Sequence, residues 1–469
     1  MEERAAIPVT LPRDNPTKSY WQLEPDEIAD QRSTPSLPNE ADTLIIGSGI
    51  TGAAIAYHLL RDEVQDIVML EARQACSGAT GRNGGHTKAA SYRSFLDHER
   101  EHGTAMACRI ARLELANIRA VHAFAKEHGI ECDSYPCETI DVVYDAKQWD
   151  EDLRAVRAMQ DAMPGDDASI YTIHGPEAVR DKFFCGKGGD EGVCGGVSYE
   201  AGSLSSYKLG IGLLKMALRK GLNLQTNTPA MELEKLEGGA WSVKTPRGTL
   251  TAKRVVLATN GYTATLWKKF QGVIVPLRGN VTAQRPGLSM PKELLPVTYS
   301  FCYKNGYDYV IQRPKGSKFE GDIVIGGGLG RLNGVDSLNE YGTTDDTTDN
   351  KVIMQTLSDS LPQYFGDNWG EDNPEGRIRT RWSGIMGYGA DGFPFVGEMP
   401  GEKDLWVSCS FQGHGMVLCW MCARALAAMM GGRDDDELRS WFPEVFRVSE
   451  RRLSVKFKGI SLIGPDASP

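Results

Sequence analysis

The stretch Asp42-Thr43-Leu44-Ile45-Ile46-Gly47-Ser48-Gly49-Ile50-Thr51-Gly52 decides how this chain is read. Thr43 to Ile46 reads as a strand buried in a parallel sheet. Gly47, Gly49 and Gly52 follow at the G-x-G-x-x-G spacing, and residues 53–60 continue as an apolar helix. Strand, glycine turn and helix are the setting in which that spacing binds a dinucleotide. The first glycine makes the tight turn, the second lets the backbone approach a pyrophosphate, and the third lets the helix pack on the strand. Free N–H groups at the helix start then face the phosphates. Ile67-Val68-Met69-Leu70 supplies a second strand, and Glu71 closes it 19 residues after Gly52. An acid about 20 residues on is placed to accept from a ribose hydroxyl.

Outside this unit, composition narrows the class. A chain of 469 residues has room for two or three domains at ~100–200 residues each. Its apolar fraction of 41% supports a sizeable core, and its net charge of −10 argues against nucleic acid or anionic membrane as partners. There is no run of ~18 apolar residues to span a bilayer. Met1-Glu2-Glu3-Arg4 does not begin a secretory signal, and Pro465 to Pro469 is not a peroxisomal tripeptide, so a cytoplasmic location is expected. Of ten cysteines only Cys419 and Cys422 form a close pair, inside an apolar helical run over 416–430. With no second pair and no histidines at zinc spacing, reduced, mostly buried thiols and no metal are expected.

The organisation follows in chain order. Residues 1–40 are polar and proline-rich, an extended arm that Tyr20 and Trp21 anchor to the body. After Glu71, residues 78–85 hold four glycines, too many for a stable helix or a good strand. They suggest a backbone passing close to something flat or anionic, where Arg82 is able to reach a phosphate and Asn83 tolerates a left-handed conformation. Helical patterns over 93–128 and 147–163 flank a strand over 139–144 and suggest a separate lobe. A helix over 206–220 and buried strands over 222–226 and 254–258 follow. Short strands over 272–330 without long helices predict an antiparallel sheet, and 331–350 reads as an exposed acidic loop. Residues 405–410, the turn Gly413-His414-Gly415-Met416 and the helix to Met430 repeat the opening logic: a strand, a glycine turn, and a helix whose N-terminus faces a ligand.

Together with Ala201-Gly202-Ser203-Leu204, Asn227-Thr228-Pro229-Ala230, Ala258-Thr259-Asn260-Gly261 and Asp391-Gly392-Phe393-Pro394, these pieces span about residues 20 to 430. In this order they resemble the flavin-dependent D-amino-acid-oxidase/glycine-oxidase superfamily, nearest to its γ-glutamylputrescine-oxidase-like branch. The resemblance implies an α/β fold, α+β overall, with a Rossmann-like FAD-binding lobe of discontinuous segments and a mostly antiparallel substrate-binding lobe. The expected segments are 41–90, 195–265 and 378–435 for FAD, 91–194 and 266–377 for substrate, 1–40 for the arm, and a C-terminal extension over 436–469.

Carried over by motif, Gly47, Ser48, Gly49, Ile50, Thr51 and Gly52 meet the pyrophosphate, Glu71 holds the adenosine ribose with Ala72 and Arg73 beside it, and Ala230 offers backbone groups to the adenine. Thr80 and the run Arg82, Asn83, Gly84, Gly85 and His86 lie along the flavin ring. Thr259, Asn260 and Gly261 pass the pyrophosphate side, while Asp391 and Gly413, His414, Gly415 and Met416 meet the ribityl chain and the ring's pyrimidine end. His86 is the candidate catalytic residue, since histidine titrates near neutrality and can orient or deprotonate an amine; packing of the flavin edge is its alternative. His414 is read as serving its turn, and Arg278 as structural rather than a carboxylate clamp. Tyr303, Tyr307, Tyr309 and Trp382 are the expected walls of the substrate pocket.

The resemblance implies oxidation of an amine or amino acid at a C–N bond by hydride transfer to FAD, giving an imine and, with oxygen as acceptor, hydrogen peroxide. The expected partners are a small-molecule amine and oxygen or another electron acceptor. Relatives that attach FAD use a histidine near the place of Arg82 or a cysteine near the place of Gly384, so noncovalent FAD is expected, with His86 as an alternative attachment point. Some oxidases carry a lysine over the flavin on the strand near 325–331. Here Arg331 is the nearest cation, which leaves a dehydrogenase beside the oxidase. Two other readings keep the flavin: oxidation of a larger specialised-metabolism intermediate, and a flavin-bound assembly factor without turnover.

Overall fold

The strand Glu40–Ile46 lies inside an eight-stranded sheet, between Gly248–Leu257 on one side and Ile67–Leu70 on the other. Its Leu44 and Ile45 have no solvent exposure and stand in register with Val255 and Val256 across one edge and Val68 and Met69 across the other. These contacts are parallel, as is the outer pairing of Ile67–Leu70 with Asn223–Gln225, and the run Leu44 to Ile46 and the strand Ile67–Leu70, buried on both faces, are apolar at every position. The helix Ile50–Arg61 follows the central strand, and its buried Ile55 and Leu59 share an apolar core with residues of the helices Ser206–Arg219 and Cys419–Met430. The computed structural model describes residues 1–186, 192–304, 306–332 and 334–459; Pro465 to Pro469 and the end of the C-terminal extension lie outside them.

A second sheet of nine strands faces the first across a cavity that residues of both line. Its order runs Ile378–Gly389, Ile274–Gln284, Ile323–Gly326, Gly306–Gln312, Thr298–Tyr303, Tyr135–Val143, Gly195–Ser203 and His86–Thr87, with Thr172–His174 on the side. All its pairings are antiparallel except Thr298–Tyr303 with Tyr135–Val143. The α/β architecture with a mostly antiparallel second sheet is therefore present. Three segments sit differently from the sequence reading: His86–Thr87, Gly195–Ser203 and Ile378–Gly389, read as parts of the nucleotide segments, pair in the second sheet. An apolar strand carries no local mark of which sheet it joins, because its distant pairing partner decides that.

The acidic stretch over 331–350 is not an exposed loop. Glu340 and Asp346 are fully buried and Tyr341 and Thr344 nearly so. Glu340 accepts from Arg278 Nε and Nη2 at 2.7 and 2.9 Å, and Asp346 accepts from Arg73 Nη1 and Nη2 at 3.1 and 3.0 Å. A charge repeat looks like a solvated face in sequence, yet Glu340 and Asp346 are drawn inward by arginines from elsewhere in the chain. The regular helix expected from Gly415 begins at Cys419, after a 3-10 turn over Gly415–Val417. Asn117 fixes that junction: its Nδ2 donates to Met416 O, and Met421 N donates to its Oδ1, both at 3.0 Å.

Tyr20 and Trp21 are buried, and Trp21 Nε1 donates to Asn83 O at 2.5 Å, so the arm does dock on the body. Eight of the ten cysteines are buried, Cys419 and Cys422 among them. Among the described residues no helix is long and apolar enough to cross a membrane, and no group of three or more His, Cys, Asp or Glu side chains is placed to hold a metal ion.

Burial also sets a pH dependence. It pushes His58 down to about 3, His98, His122 and His414 to about 4, and His86 well below its ordinary value. Unfolding returns each ring to about 6.5, so the unfolded chain binds more protons below that pH. Stability therefore falls as pH drops from about 6.5 toward 4, by up to about 1.4 kcal/mol per pH unit for each such histidine. Glu114 and Asp152, raised by burial to about 7 and about 6, offset part of the loss as they protonate. The melting temperature should thus drop between about pH 7 and about pH 4.5; a flat or rising profile over that range would contradict this.

Candidate functional site

The opening turn has the shape its spacing predicts. Gly47 adopts φ +109°, where an L side chain is strained and where a Cβ would stand 2.5 Å from Ala258 O. A Cβ on Gly52 would lie 1.9 Å from Gly47 O, so the third glycine is what brings helix and strand together. Ser48 donates to Glu71 Oε2 from its N at 3.0 Å and its Oγ at 2.7 Å, and Arg73 N donates to Oε1 at 3.0 Å. Glu71 therefore braces the turn and faces the cavity at once. Thr80 ties the next loop to the helix start by accepting from Ile50 N at 2.9 Å.

One cavity gathers most of the predicted residues from both sheets. Its wall includes Gly47, Gly49, Ile50, Thr51, Glu71, Ala72, Arg73, Thr80, Ala230, Thr259 and Asn260. It also includes Arg82, Asn83, Gly84, Gly85, His86, Gly413, His414, Gly415, Met416, Tyr303, Tyr307 and Tyr309. Five predicted residues stand off that wall. Ser48 and Gly52 support the turn from behind, and Gly261 packs against the backbone of Met386 and Gly387. Asp391 is exposed and its carboxylate accepts from Arg452 at 2.6 and 3.0 Å. Trp382 is fully buried behind the loop, donating from Nε1 to Arg82 O at 2.7 Å. For both, the sequence shows a residue near a motif, but a partner far along the chain turns it away.

Two further expectations change. The left-handed residue of the glycine-rich loop is Gly85 at φ +78°, while Asn83 braces the loop by accepting from Gly85 N at 2.8 Å and donating to Ser206 Oγ at 2.7 Å. Arg82 does not extend toward a phosphate. Its Nε donates to Ser383 O at 2.6 Å, its Nη2 donates to Thr17, and it lies 3.6 Å from Asp346. Arg73 and Arg82 thus share the single carboxylate of Asp346, and Glu71 is a second acid beside Arg73. The bare glycine turn suits the anionic diphosphate of a dinucleotide, and the acid at Glu71 suits its ribose. At Gly384 a Cβ would stand 2.9 Å from the Cβ of Arg82, so these two positions adjoin.

The second sheet supplies a cation the motifs did not point to. Lys88 lines the cavity and is buried; its Nζ donates to Asp141 at 2.8 Å and to Ser300, with the Tyr307 ring 5.3 Å away. Asp141 also pairs with Arg93 at 2.7 Å and accepts from the hydroxyls of Tyr92 and Tyr199 at 2.8 Å. Although burial opposes it, Arg93 and Lys88 hold Asp141 down to about 2. Burial, reinforced by Arg93, lowers the pKa of Lys88. A signal existed: Lys88 lies two residues past His86, and side chains two apart in an extended chain share a face. Arg331, the cation expected nearest the flavin, instead lies over the Tyr303 ring at 3.8 Å and 3.5 Å from Asp308.

His86 contacts Thr298 Oγ1 through Nε2 at 2.7 Å, and burial, with Lys88 adding to it, keeps the ring neutral. His414 is held neutral in the same way, down to about 4. Arg278 is occupied by Glu340 and is structural.

A parallel sheet with a glycine turn, an acid closing the neighbouring strand and an antiparallel sheet walling the same cavity define a two-lobed dinucleotide-binding oxidoreductase. The chain belongs to the FAD dependent oxidoreductase (DAO) family, whose sequence model matches residues 42–429. It is 28% identical over 400 residues to a probable oxidoreductase, OrdL, of Rhizobium meliloti, covering 85% of this chain and 84% of that one. It is 22% identical to γ-glutamylputrescine oxidoreductase of Escherichia coli, covering 89% of each. Among solved structures, glycine oxidase from Geobacillus kaustophilus superposes with a TM-score of 0.69 at 19% identity, covering 88% of this chain and 99% of that one. The protein is thus an FAD-dependent oxidoreductase.

Proposed function

We propose that this protein oxidises a C–N bond of a small amine or amino acid, giving an imine that water hydrolyses, and that it holds FAD without a covalent bond. When bound, FAD supplies the acceptor for the hydride leaving the carbon beside nitrogen. Oxygen as the final acceptor would give hydrogen peroxide. The observation that carries the substrate class is Lys88, a buried ammonium on the cavity wall whose Nζ is held by Asp141 and Ser300 and is placed to meet an anionic group on the substrate. We assign Lys88 to a substrate carboxylate and the faces of Tyr307 and Tyr309 to its carbon chain.

His86 and His414 stay neutral, which spares an amine a neighbouring cation. A ring this hard to protonate is a poor base, so His86 positions the substrate through its bond to Thr298. Lys88→Met should then cut kcat/KM for amino acids about 10- to 100-fold, the loss of one charged hydrogen bond, and spare amines without a carboxylate. Equal losses for both substrate types would remove the assignment. His86→Gln should lower kcat by less than about tenfold, against the 10²–10⁴ that loss of a general base costs; a larger drop would restore the base role.

A further inference from the structure

The first 22 residues precede the stretch matched by the family, which starts at 42, yet they complete the wall of the cofactor cavity through Leu11 and Pro12. The chain is tied down on both sides of that pair. Upstream, Arg4 Nε donates to Tyr341 O at 2.7 Å, Gln271 Nε2 donates to the carbonyls of Ala5 and Ile7 at 3.0 and 2.9 Å, and Thr10 Oγ1 meets Thr344 Oγ1 at 2.5 Å. Downstream, Arg73 Nη1 donates to Arg13 O at 3.0 Å, Thr17 N donates to Asp346 O at 2.7 Å, and Ser19 Oγ donates to Gly81 O at 2.5 Å. Arg73 and Gly81 follow the opening strand–turn–helix unit. Tyr341, Thr344 and Asp346 come from the stretch that leads on from the second sheet. The segment between the two sets of anchors therefore runs beside the 341–346 stretch to Arg73, which, like Leu11 and Pro12, itself faces the cavity.

We propose that residues 9–17 form a strap over the FAD site, with Leu11 and Pro12 as cofactor-contacting residues contributed from outside the family core, and that FAD leaves only when the strap lifts. Pro8, Pro12 and Pro16 fix φ along the segment and lower the entropy lost in holding it extended. Val9 is its buried member, while Leu11 and Pro12 are half-exposed. Held mainly by hydrogen bonds at its ends, the strap can open locally without unfolding either sheet.

The test uses the purified holoprotein and reads flavin release as the rise of flavin fluorescence after dilution, with no turnover involved. Thr10→Cys/Thr344→Cys places two thiols where the hydroxyls now touch. In the oxidised, disulfide-linked protein release should be at least about tenfold slower than in the same protein reduced, a change of about 1.4 kcal/mol. Leu11→Gly/Pro12→Gly should release flavin at least about tenfold faster, while its flavin-free form melts as the parent does. Equal release from oxidised and reduced protein would overturn the strap. If the two thiols do not join, an unchanged release rate in the glycine pair overturns it alone.

Discussion

Asp346→Ala should cost about 3–5 kcal/mol of stability, the range for removing one partner from a buried ion pair. The Asp346 side chain has no exposure and serves two guanidinium groups, Arg73 at 3.0 Å and Arg82 at 3.6 Å. Both arginines keep carbonyl partners after the change, at Ser77 and Arg13 for one and Ser383 and Thr17 for the other. Those bonds do not supply the missing negative charge, so two buried cations would lose the carboxylate they share. Asp346→Asn should fall between alanine and the parent, since it keeps the shape and loses the charge. Chemical denaturation followed by tryptophan fluorescence measures the difference. A loss within about 0.5 kcal/mol, typical of a surface change, would mean that Asp346 is not the electrostatic centre of this region.

Gly52→Ala should yield a protein purified without its flavin, with FAD affinity lower by about 100-fold or more, or about 2.7 kcal/mol. The added Cβ would sit 1.9 Å from Gly47 O and 3.4 Å from Ile45 Cγ2. Its nearest obstacle is backbone, which cannot swing aside as a side chain can. Either the helix Ile50–Arg61 moves off the strand or the Gly47 peptide turns, and each displaces the groups meant for the diphosphate. Gly175→Ala is the control: it caps the start of the helix Pro176–Phe183, and nothing lies within 4 Å of its Cβ position. Titration of the flavin-free proteins with FAD reads both variants. Parental affinity in Gly52→Ala would contradict the role given to this turn.

What could be read from the sequence was the part written locally. Gly47, Gly49, Gly52 and Glu71 announce their fold because strand, turn, helix and acid are contiguous and physically necessary to one another. The antiparallel character of the second sheet was visible in its short strands. Assigning strands to sheets was not, as Gly195–Ser203 and Ile378–Gly389 show, because pairing depends on partners far along the chain. The buried carboxylates at 340 and 346 were hidden for the same reason: nothing near Asp346 reveals that Arg73 and Arg82 come to meet it. Asp391 and Trp382 fell beside motifs but were turned away by Arg452 and by the carbonyl of Arg82. Lys88 could have been found by carrying the two-residue period one step past His86. Leu11 and Pro12 could not, since a proline-rich arm does not say what it crosses.

The most direct measurement is anaerobic mixing of the flavin-loaded protein with amino acids, secondary amines and polyamines while its flavin absorbance is followed. Acid precipitation of a matched sample shows whether the colour leaves with the supernatant. The proposed function predicts that flavin stays in the supernatant and that an amino acid bleaches the protein-bound flavin, with an imine or its carbonyl hydrolysis product formed in equal amount. Flavin that dithionite reduces but no amine or amino acid bleaches would contradict amine oxidation while leaving the FAD-binding fold intact.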